Sequence, residues 1–245
     1  MKSSYSCRVI GSAVVLAGAY LLKDFYSQAG SEQLAWIIGP TALLTEIFSG
    51  LAFVHEPGFG WLDVQHHTVI APVCAGVNFL IIAFCMSSFQ ILWKKDSPKE
   101  MIVGVIIASS ASYLITLIAN ATRITLSVLL FSFDIYSAWV TPEMLHRVAG
   151  IVIYYLLLFS YSSAISHFFK NAAGAPPASN GPISRNTVLL APLVWYLAFS
   201  IGVPVANNAL HNNPEQFIAH SLTIGAVTAG ITVILFKLKR WKRLR

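Results

Sequence analysis

The chain has 245 residues, of which 56% are hydrophobic and only 11% are charged, and its net charge is +6. Soluble domains carry about 25% charged residues, so this chain has too few polar side chains to cover a soluble globule of its size. The composition excludes a disordered protein, a nucleic-acid-binding domain and most soluble enzymes. A lipid bilayer is the expected solvent, and a helix that crosses its apolar core needs about 20 mostly apolar residues.

Seven apolar stretches are predicted to be membrane-spanning helices. They are Val9–Leu22, Leu34–Val54, Pro72–Trp93, Met101–Asn120, Val148–Phe169, Thr187–Val205 and Phe217–Phe236. The first is also compatible with a signal peptide, although Ala17–Tyr20 is followed by a poor cleavage site. Ile124–Phe133 is too short to cross and is predicted to be an interfacial or re-entrant helix. The predicted fold is an all-α polytopic membrane protein with a single membrane domain, 1–245.

Two polar segments interrupt or follow these spans. Residues 171–186 are rich in alanine, glycine, proline and asparagine, which predicts a flexible cytoplasmic linker. The tail 237–245 carries six basic residues around Trp241. We expect this tail to bind anionic lipid at the cytoplasmic face, and we do not expect nucleic acid as a partner.

Lysine and arginine residues mark the cytoplasmic side of a membrane protein. We place Lys23, the 94–100 loop, the 170–186 loop and the tail on that side. Only four of the 16 basic residues then lie on the outer side, and these are Lys2, Arg8, Arg123 and Arg147. Segments 55–71, 120–147 and 207–216 therefore face outward. Lys2 and Arg8 oppose this arrangement, so the orientation of the N-terminus stays open.

The outer loop 58–71 contains aromatic and β-branched residues between glycines, which predicts a small β-hairpin. The adjacent pair His66-His67 in this loop raises the possibility of a metal site. Adjacent histidines cannot share one helical face, and only Asp63 is nearby as a further ligand. A polar loop is the better interpretation, so no metal is predicted.

Cys74 lies at the start of the third predicted span, in the sequence Ala-Pro72-Val-Cys74-Ala-Gly76-Val-Asn78-Phe. Because proline favours the first position of a helix, Cys74 is predicted in the first turn at the outer interface. Unpaired N–H groups and the positive end of the helix dipole there favour a reactive thiolate. The alternative is a small buried apolar cysteine, which is our interpretation of Cys85.

Asn120 and Arg123 lie three residues apart at the outer end of the fourth predicted span, so they share one helical face. The planar guanidinium of Arg123 can hydrogen-bond a developing oxyanion or a substrate carboxylate. An arginine that reaches lipid phosphate groups is an equally good interpretation.

Residues 141–150 predict the start of a helix outside the apolar core. Thr141 is the expected N-cap, Pro142 is the first helical residue and Glu143 complements the helix dipole. His146 and Arg147 then lie about one turn above the hydrocarbon. His146 can exchange protons near neutral pH, although a solvated interfacial histidine is the simpler alternative.

Other polar groups are less informative. Glu46 lies inside the second predicted span, where a carboxylate is a functional candidate. The alternatives are that it caps a neighbouring helix or lies near the inner interface. A solvated outer loop is predicted to contain Asn207, Asn208, His211, Asn212 and Asn213.

Three motifs on different spans, all on one predicted membrane face, resemble the exosortase/archaeosortase family, and most closely its exosortase K type. They are Cys74-Ala-Gly-Val-Asn-Phe, Asn120-Ala-Thr-Arg123, and His146 followed by Gly150. The resemblance covers about residues 40–170. Ala75 departs from the serine that many relatives have there.

The resemblance implies a membrane cysteine endopeptidase or transpeptidase. Such an enzyme cleaves exported proteins near a C-terminal sorting signal, which comprises a short motif, a transmembrane helix and a basic tail. It implies that Cys74 is the nucleophile, Arg123 the oxyanion stabiliser and His146 the general acid/base, with Arg147 as an alternative for the third role. The residues then expected to contact substrate are Asn78, Asn120 and Arg147.

The resemblance also implies that no metal or cofactor is needed. The expected partners are exported substrates and membrane lipids, and the expected location is the bacterial inner membrane with the site on its periplasmic face. Two other classes stay open. A small-solute transporter would use Glu46, Arg123 and His146 as an ion path, but we find no internal repeat of the kind many transporters show. A non-catalytic assembly protein would have no reactive thiol at Cys74.

Overall fold

A computed structural model describes residues 2–65, 68–133, 141–171 and 182–241. Of the residues described, 81% are helical. Among the described residues, five helices are long and apolar enough to cross a membrane: Tyr5–Gln28, Pro72–Leu92, Pro98–Phe131, Met144–Phe168 and Pro214–Leu238. The other two predicted spans correspond to shorter apolar helices, Ala35–Ser49 and Leu190–Ala206. These helices agree with the predicted helical membrane class.

The chain divides into two compact units, Met1–Val140 and Thr141–Arg245, and each is described separately. The elements of the first unit are α1 (Lys2–Gln28), α2 (Ala35–Ser49), β1 (Val54–Glu56), β2 (Gly60–Asp63), β3 (Thr68–Ile70), a 3-10 turn (Pro72–Cys74), α3 (Val77–Leu92) and α4 (Pro98–Ser132). The elements of the second unit are α5 (Pro142–Asn171), α6 (Pro182–Leu197), a π-helical turn (Ala198–Gly202), α7 (Val203–Ala206), α8 (Ala209–Asn212) and α9 (Pro214–Trp241).

The core of the first unit is built around α3, which packs against both α1 and α4. The most apolar stretch of the span containing α3 is 61% buried, whereas that of α1 is 11% buried. Phe79, Ile81 and Met86 of α3 are among the largest fully buried side chains. Helix α3 is therefore central and α1 is peripheral. Helix α1 exposes apolar side chains such as Val14 and Leu21. Exposure of this kind fits contact with lipid.

Helix α4 is continuous from Pro98 to Ser132, so the separate interfacial helix predicted at Ile124–Phe133 is wrong. No proline or glycine follows Asn120 in this helix. Its polar side chains also bond back into the helix, since Thr122 donates to the Ile118 carbonyl and Ser127 to the Arg123 carbonyl. At 35 residues, α4 is about 52 Å long, which exceeds the roughly 30 Å hydrocarbon core.

The orientation of α1 differs from the prediction. Near its start, Arg8 forms an ion pair with Asp96 at 2.5 Å and donates to the Lys95 carbonyl at 3.2 Å. Near its end, Lys23 Nζ donates to Asn78 Oδ1 at 2.9 Å. The prediction that Lys23 shares a side with the 94–100 loop is therefore wrong, because these contacts lie at opposite ends of α3. The start of α1 therefore lies beside the basic 94–100 loop.

Segment 29–71 connects the end of α1 to the start of α3, and these two points lie at the same end of the two packed helices. The Tyr26 hydroxyl donates to the Pro72 carbonyl at 3.4 Å, so the two ends of this segment are adjacent. Helix α2 has 15 residues and is about 22 Å long, less than the hydrocarbon core. The sheet runs back along α2, where Phe53 N–H donates to Glu46 Oε1 at 2.7 Å. The predicted span Leu34–Val54 thus makes no net crossing between α1 and α3.

The hairpin predicted at 58–71 is confirmed as part of a three-stranded antiparallel sheet in the order β1-β2-β3. Strand β2 pairs with β3 in the register Trp61 to Ile70. Gly60 has φ +119°, and a Cβ there would lie 2.5 Å from the Ile70 carbonyl oxygen, so only glycine fits. His66 and His67 lie outside the described residues. The sheet leads directly into the turn that carries Cys74.

The second unit packs α5 against α6 and α9. The buried hydroxyl groups of Tyr155 and Thr232 lie 2.6 Å apart, and Tyr155 also meets Tyr196 edge-on. The predicted N-cap of α5 is confirmed, because Met144 N–H donates to Thr141 Oγ1 at 3.2 Å. Most of the predicted linker 171–186 lies outside the described residues, but residues 182–186 already belong to α6. Helix α9 continues to Trp241, into the predicted basic tail.

Candidate functional site

Cys74 lies in a 3-10 turn that precedes α3 rather than in the first turn of that helix, as the sequence predicts. Cys74 N–H donates to the Ala71 carbonyl at 2.8 Å, and Ala75 N–H donates to the Pro72 carbonyl at 3.0 Å. Gly76 then adopts φ +71°, which interrupts the turn before α3 starts at Val77. Cys74 is half-buried, whereas Cys85 is completely buried, as predicted for a packing residue.

Asn120 holds this turn in place. Its side-chain amide donates a short hydrogen bond to the main-chain carbonyl of Cys74. Asn120 is fully buried on α4. A Cβ at position 76 would lie 3.1 to 3.3 Å from the Asn120 side chain. Gly76 is therefore needed both for its left-handed backbone and for the close approach of Asn120.

Arg123 lies one turn farther along α4 and is half-buried. Asn120 and Arg123 share a helical face, as their spacing predicts. Arg123 and Cys74 both lie close enough to the Tyr26 hydroxyl to interact with it electrostatically. A cation and a thiol are thereby brought to one place by α4, α1 and the turn before α3.

Tyr26 was missed by the sequence analysis. It is half-buried, and its hydroxyl donates to the Pro72 carbonyl in the same turn that carries Cys74. Lys23, one turn earlier on α1, lies with its ammonium group 5.2 Å from the centre of the Tyr26 ring. The same ammonium group donates to Asn78, which is exposed. A lysine and a tyrosine three residues apart at the end of an apolar helix were the available signal.

We call Cys74, Asn120, Arg123 and Tyr26 the cysteine cluster. It contains a sulfur nucleophile, a guanidinium and a phenol on three elements of the first unit. Such a set can form a covalent thioester and stabilise negative charge on a carbonyl oxygen. The exposed side chains of Asn78 and Val73 lie beside it at the surface.

His146 and Arg147 belong to the second unit, in the second turn of α5, and both are half-buried. Their position relative to Cys74 stays a prediction. Arg147 lines a cavity of about 550 Å³ within the second unit. The polar side chains lining this cavity are those of Arg147, Asn207, Asn212, Asn213, Gln216 and His220. The sequence analysis did not single out Gln216, which ends the predicted 207–216 loop, or His220, which lies inside the predicted apolar span Phe217–Phe236.

Two other features considered in the sequence analysis are the Glu46 carboxylate and a metal site. Glu46 accepts a hydrogen bond from the Phe53 main chain, which ties α2 to the sheet. No cluster of three or more histidine, cysteine, aspartate or glutamate residues suited to a metal ion occurs in the described part of the chain.

Comparisons with profiles of known families, with characterised proteins and with solved structures find no match. The resemblance to exosortases therefore depends on the three motifs.

Proposed function

We propose that this protein is a membrane-embedded cysteine peptidase or transpeptidase that cleaves C-terminal sorting signals of exported proteins. The observation that carries this proposal is the cysteine cluster, in which Asn120 of α4 bonds to the Cys74 carbonyl and Tyr26 of α1 bonds to Pro72 in the same turn. Arg123 lies one helical turn beyond Asn120. The spacing and order of the motifs around Cys74, Arg123 and His146 supply the family resemblance. These three residue types match the needs of thiol acyl transfer.

In the proposed reaction, the Cys74 thiolate attacks the scissile carbonyl and forms a carbon–sulfur bond. Arg123 hydrogen-bonds the resulting oxyanion. His146 donates a proton to the leaving amine as the carbon–nitrogen bond breaks. Water or an acceptor amine then attacks the thioester and releases the thiol. We assign the acid/base role to His146 rather than to Arg147, because an imidazole exchanges protons near neutral pH and a guanidinium does not.

Asn120 has a positioning role in this proposal. Its side chain is fully buried and bonded to the Cys74 carbonyl. It therefore orients the turn that presents the thiol, and as a buried residue it does not contact the substrate directly in this proposal. Asn78 is exposed at the start of α3, so it keeps the proposed role of contacting the peptide.

The proposed location is the bacterial inner membrane with the cysteine cluster on the periplasmic face. In the first unit, Arg8, Lys94, Lys95 and Lys99 lie at the end of α3 opposite Cys74. Basic residues favour the cytoplasmic side, which puts Cys74 outside. A substrate helix can then enter from the bilayer and present its motif at this face.

The proposal is tested by comparing the termini of exported proteins in cells that carry wild-type protein, Cys74→Ala or Cys85→Ala. Cys85→Ala is the matched control because Cys85 lies in α3 and is buried. We expect new C-termini just before a hydrophobic segment with wild type and Cys85→Ala only. Identical termini in all three strains, at equal protein levels, would refute the peptidase assignment.

A further inference from the structure

The cavity of the second unit lies between the start of α5, the short helices α7 and α8, and the start of α9. Arg147 comes from the second turn of α5, and His220 comes from the second turn of α9. Its volume of about 550 Å³ falls in the range of small-molecule sites, roughly 300 to 1,000 Å³.

The charge of the lining favours an anion. Arg147 and His220 lie close enough to interact electrostatically. The other polar lining groups are the amides of Asn207, Asn212, Asn213 and Gln216, which can all donate hydrogen bonds. Among the described residues that line the cavity, none is an aspartate or a glutamate. A bound anion would pair with the Arg147 guanidinium and accept a hydrogen bond from the His220 imidazole.

The apolar part of the lining favours an amphiphile. Phe217, Pro204 and Ala209 contribute to the cavity wall. Beside it, Val205 and Leu210 are exposed by 45% and 50%. Both α5 and α9 begin their apolar stretches here, at Met144 and Pro214, and from this we place this end of the unit at the boundary between lipid and water. Head groups of phospholipids meet the protein at this level.

We propose that this cavity binds the phosphate group of an anionic amphiphile, with Arg147 and His220 as its main contacts. A guanidinium forms a planar, two-point hydrogen bond with phosphate. Amides of the 207–216 segment hydrogen-bond the remaining oxygens, and Phe217 packs against the glycerol or acyl portion. This proposal does not depend on the proposed peptidase activity.

The test measures binding of dioctanoylphosphatidylglycerol to the full-length protein in a non-ionic detergent, by native mass spectrometry and by calorimetric titration. The variants are Arg147→Gln and His220→Gln. Lys237→Gln is the matched control, because it also removes a charge from α9 but lies exposed near the opposite end. We expect saturable binding that is weakened about tenfold or more by each cavity variant and is unchanged in the control.

Two further measurements identify the ligand source. If millimolar inorganic phosphate displaces the lipid, the site also accepts free phosphate; if it does not, the amphiphile is the ligand. Both results support a phosphate site. Equal binding by all variants, or equal weakening by Lys237→Gln, would overturn the proposal. If Arg147→Gln does not elute as a single species, Arg147→Lys replaces it. Lipid binding by Arg147→Lys should be weakened several-fold, because lysine lacks the planar two-point hydrogen bonding of the guanidinium.

Discussion

The buried side-chain amide of Asn120 donates a hydrogen bond to the main-chain carbonyl of Cys74, which lies 46 residues earlier in the chain. This bond joins α4 to the turn that presents the thiol. A buried carbonyl left without its donor costs about 1–3 kcal/mol. The position of Cys74 therefore depends on a residue that has no chemistry of its own in the proposed reaction.

Asn120→Ala should loosen the Cys74 turn. We expect a loss of about 1–3 kcal/mol in the free energy of unfolding, because the Cys74 carbonyl loses its partner. Alkylation of Cys74 by iodoacetamide should also change its rate several-fold. Thr116→Val is the control, since Thr116 is buried on α4 and donates to the Ser112 carbonyl of its own helix. Equal alkylation rates in Asn120→Ala and wild type would contradict the positioning role.

Gly76→Ala should destabilise the protein by more than about 1 kcal/mol. Alanine disfavours the positive φ of this position, and its Cβ would press on the Asn120 side chain. Gly230→Ala is the matched control, because Gly230 lies within α9 with open space around it. Alanine should be neutral or slightly stabilising there. Thermal unfolding in detergent measures both, and equal midpoints for the two variants would count against the strained turn.

Arg123→Lys keeps the positive charge but removes the planar fork. If Arg123 stabilises the oxyanion, substrate cleavage should fall by about 10²- to 10³-fold. Arg8→Lys is the matched change at the opposite end of α3, where Arg8 pairs with Asp96. It should leave cleavage within a few-fold of wild type. Accumulation of uncleaved exported protein provides the readout, and cleavage retained by Arg123→Lys would argue against the oxyanion role.

Tyr26→Phe removes only the hydroxyl that contacts the Cys74 turn. We expect the cleavage rate to fall several-fold while the unfolding midpoint shifts little, since the bond to Pro72 is long at 3.4 Å. Tyr20→Phe is the control, because Tyr20 is 70% exposed on the same helix. A stability loss without a rate change would indicate that Tyr26 is only a packing residue.

Cysteine substitution tests which residues share a membrane side. In a background without native cysteines, Lys23→Cys and Asn78→Cys should react with a membrane-impermeant thiol reagent from the same side. Lys94→Cys should react from the other side, because Lys94 follows α3 at its opposite end. Labelling of positions 23 and 94 from one side would contradict the arrangement of α1.

Local patterns predicted some parts of the site and not others. The Thr141 N-cap and the hairpin in the 58–71 loop were both predicted correctly. Helix capping and strand alternation depend on residues that are neighbours in the sequence, so a local pattern is enough to predict them. Pro72 was expected to start a long helix, but Gly76 ends that turn after a few residues. A glycine is compatible with many backbone conformations, so the sequence around Gly76 does not reveal that it adopts the left-handed one.

The sequence by itself was enough to predict a helical protein that has the lipid bilayer as its solvent. Apolar composition and the length of each apolar stretch depend only on the residues within that stretch, so they can be obtained without knowing the tertiary structure. Only the tertiary structure decided that Lys23 lies beside Asn78, that Tyr26 reaches the Cys74 turn and that Arg147 shares a cavity with His220. These pairs are far apart in sequence and meet through helix packing, which no local pattern of residues encodes.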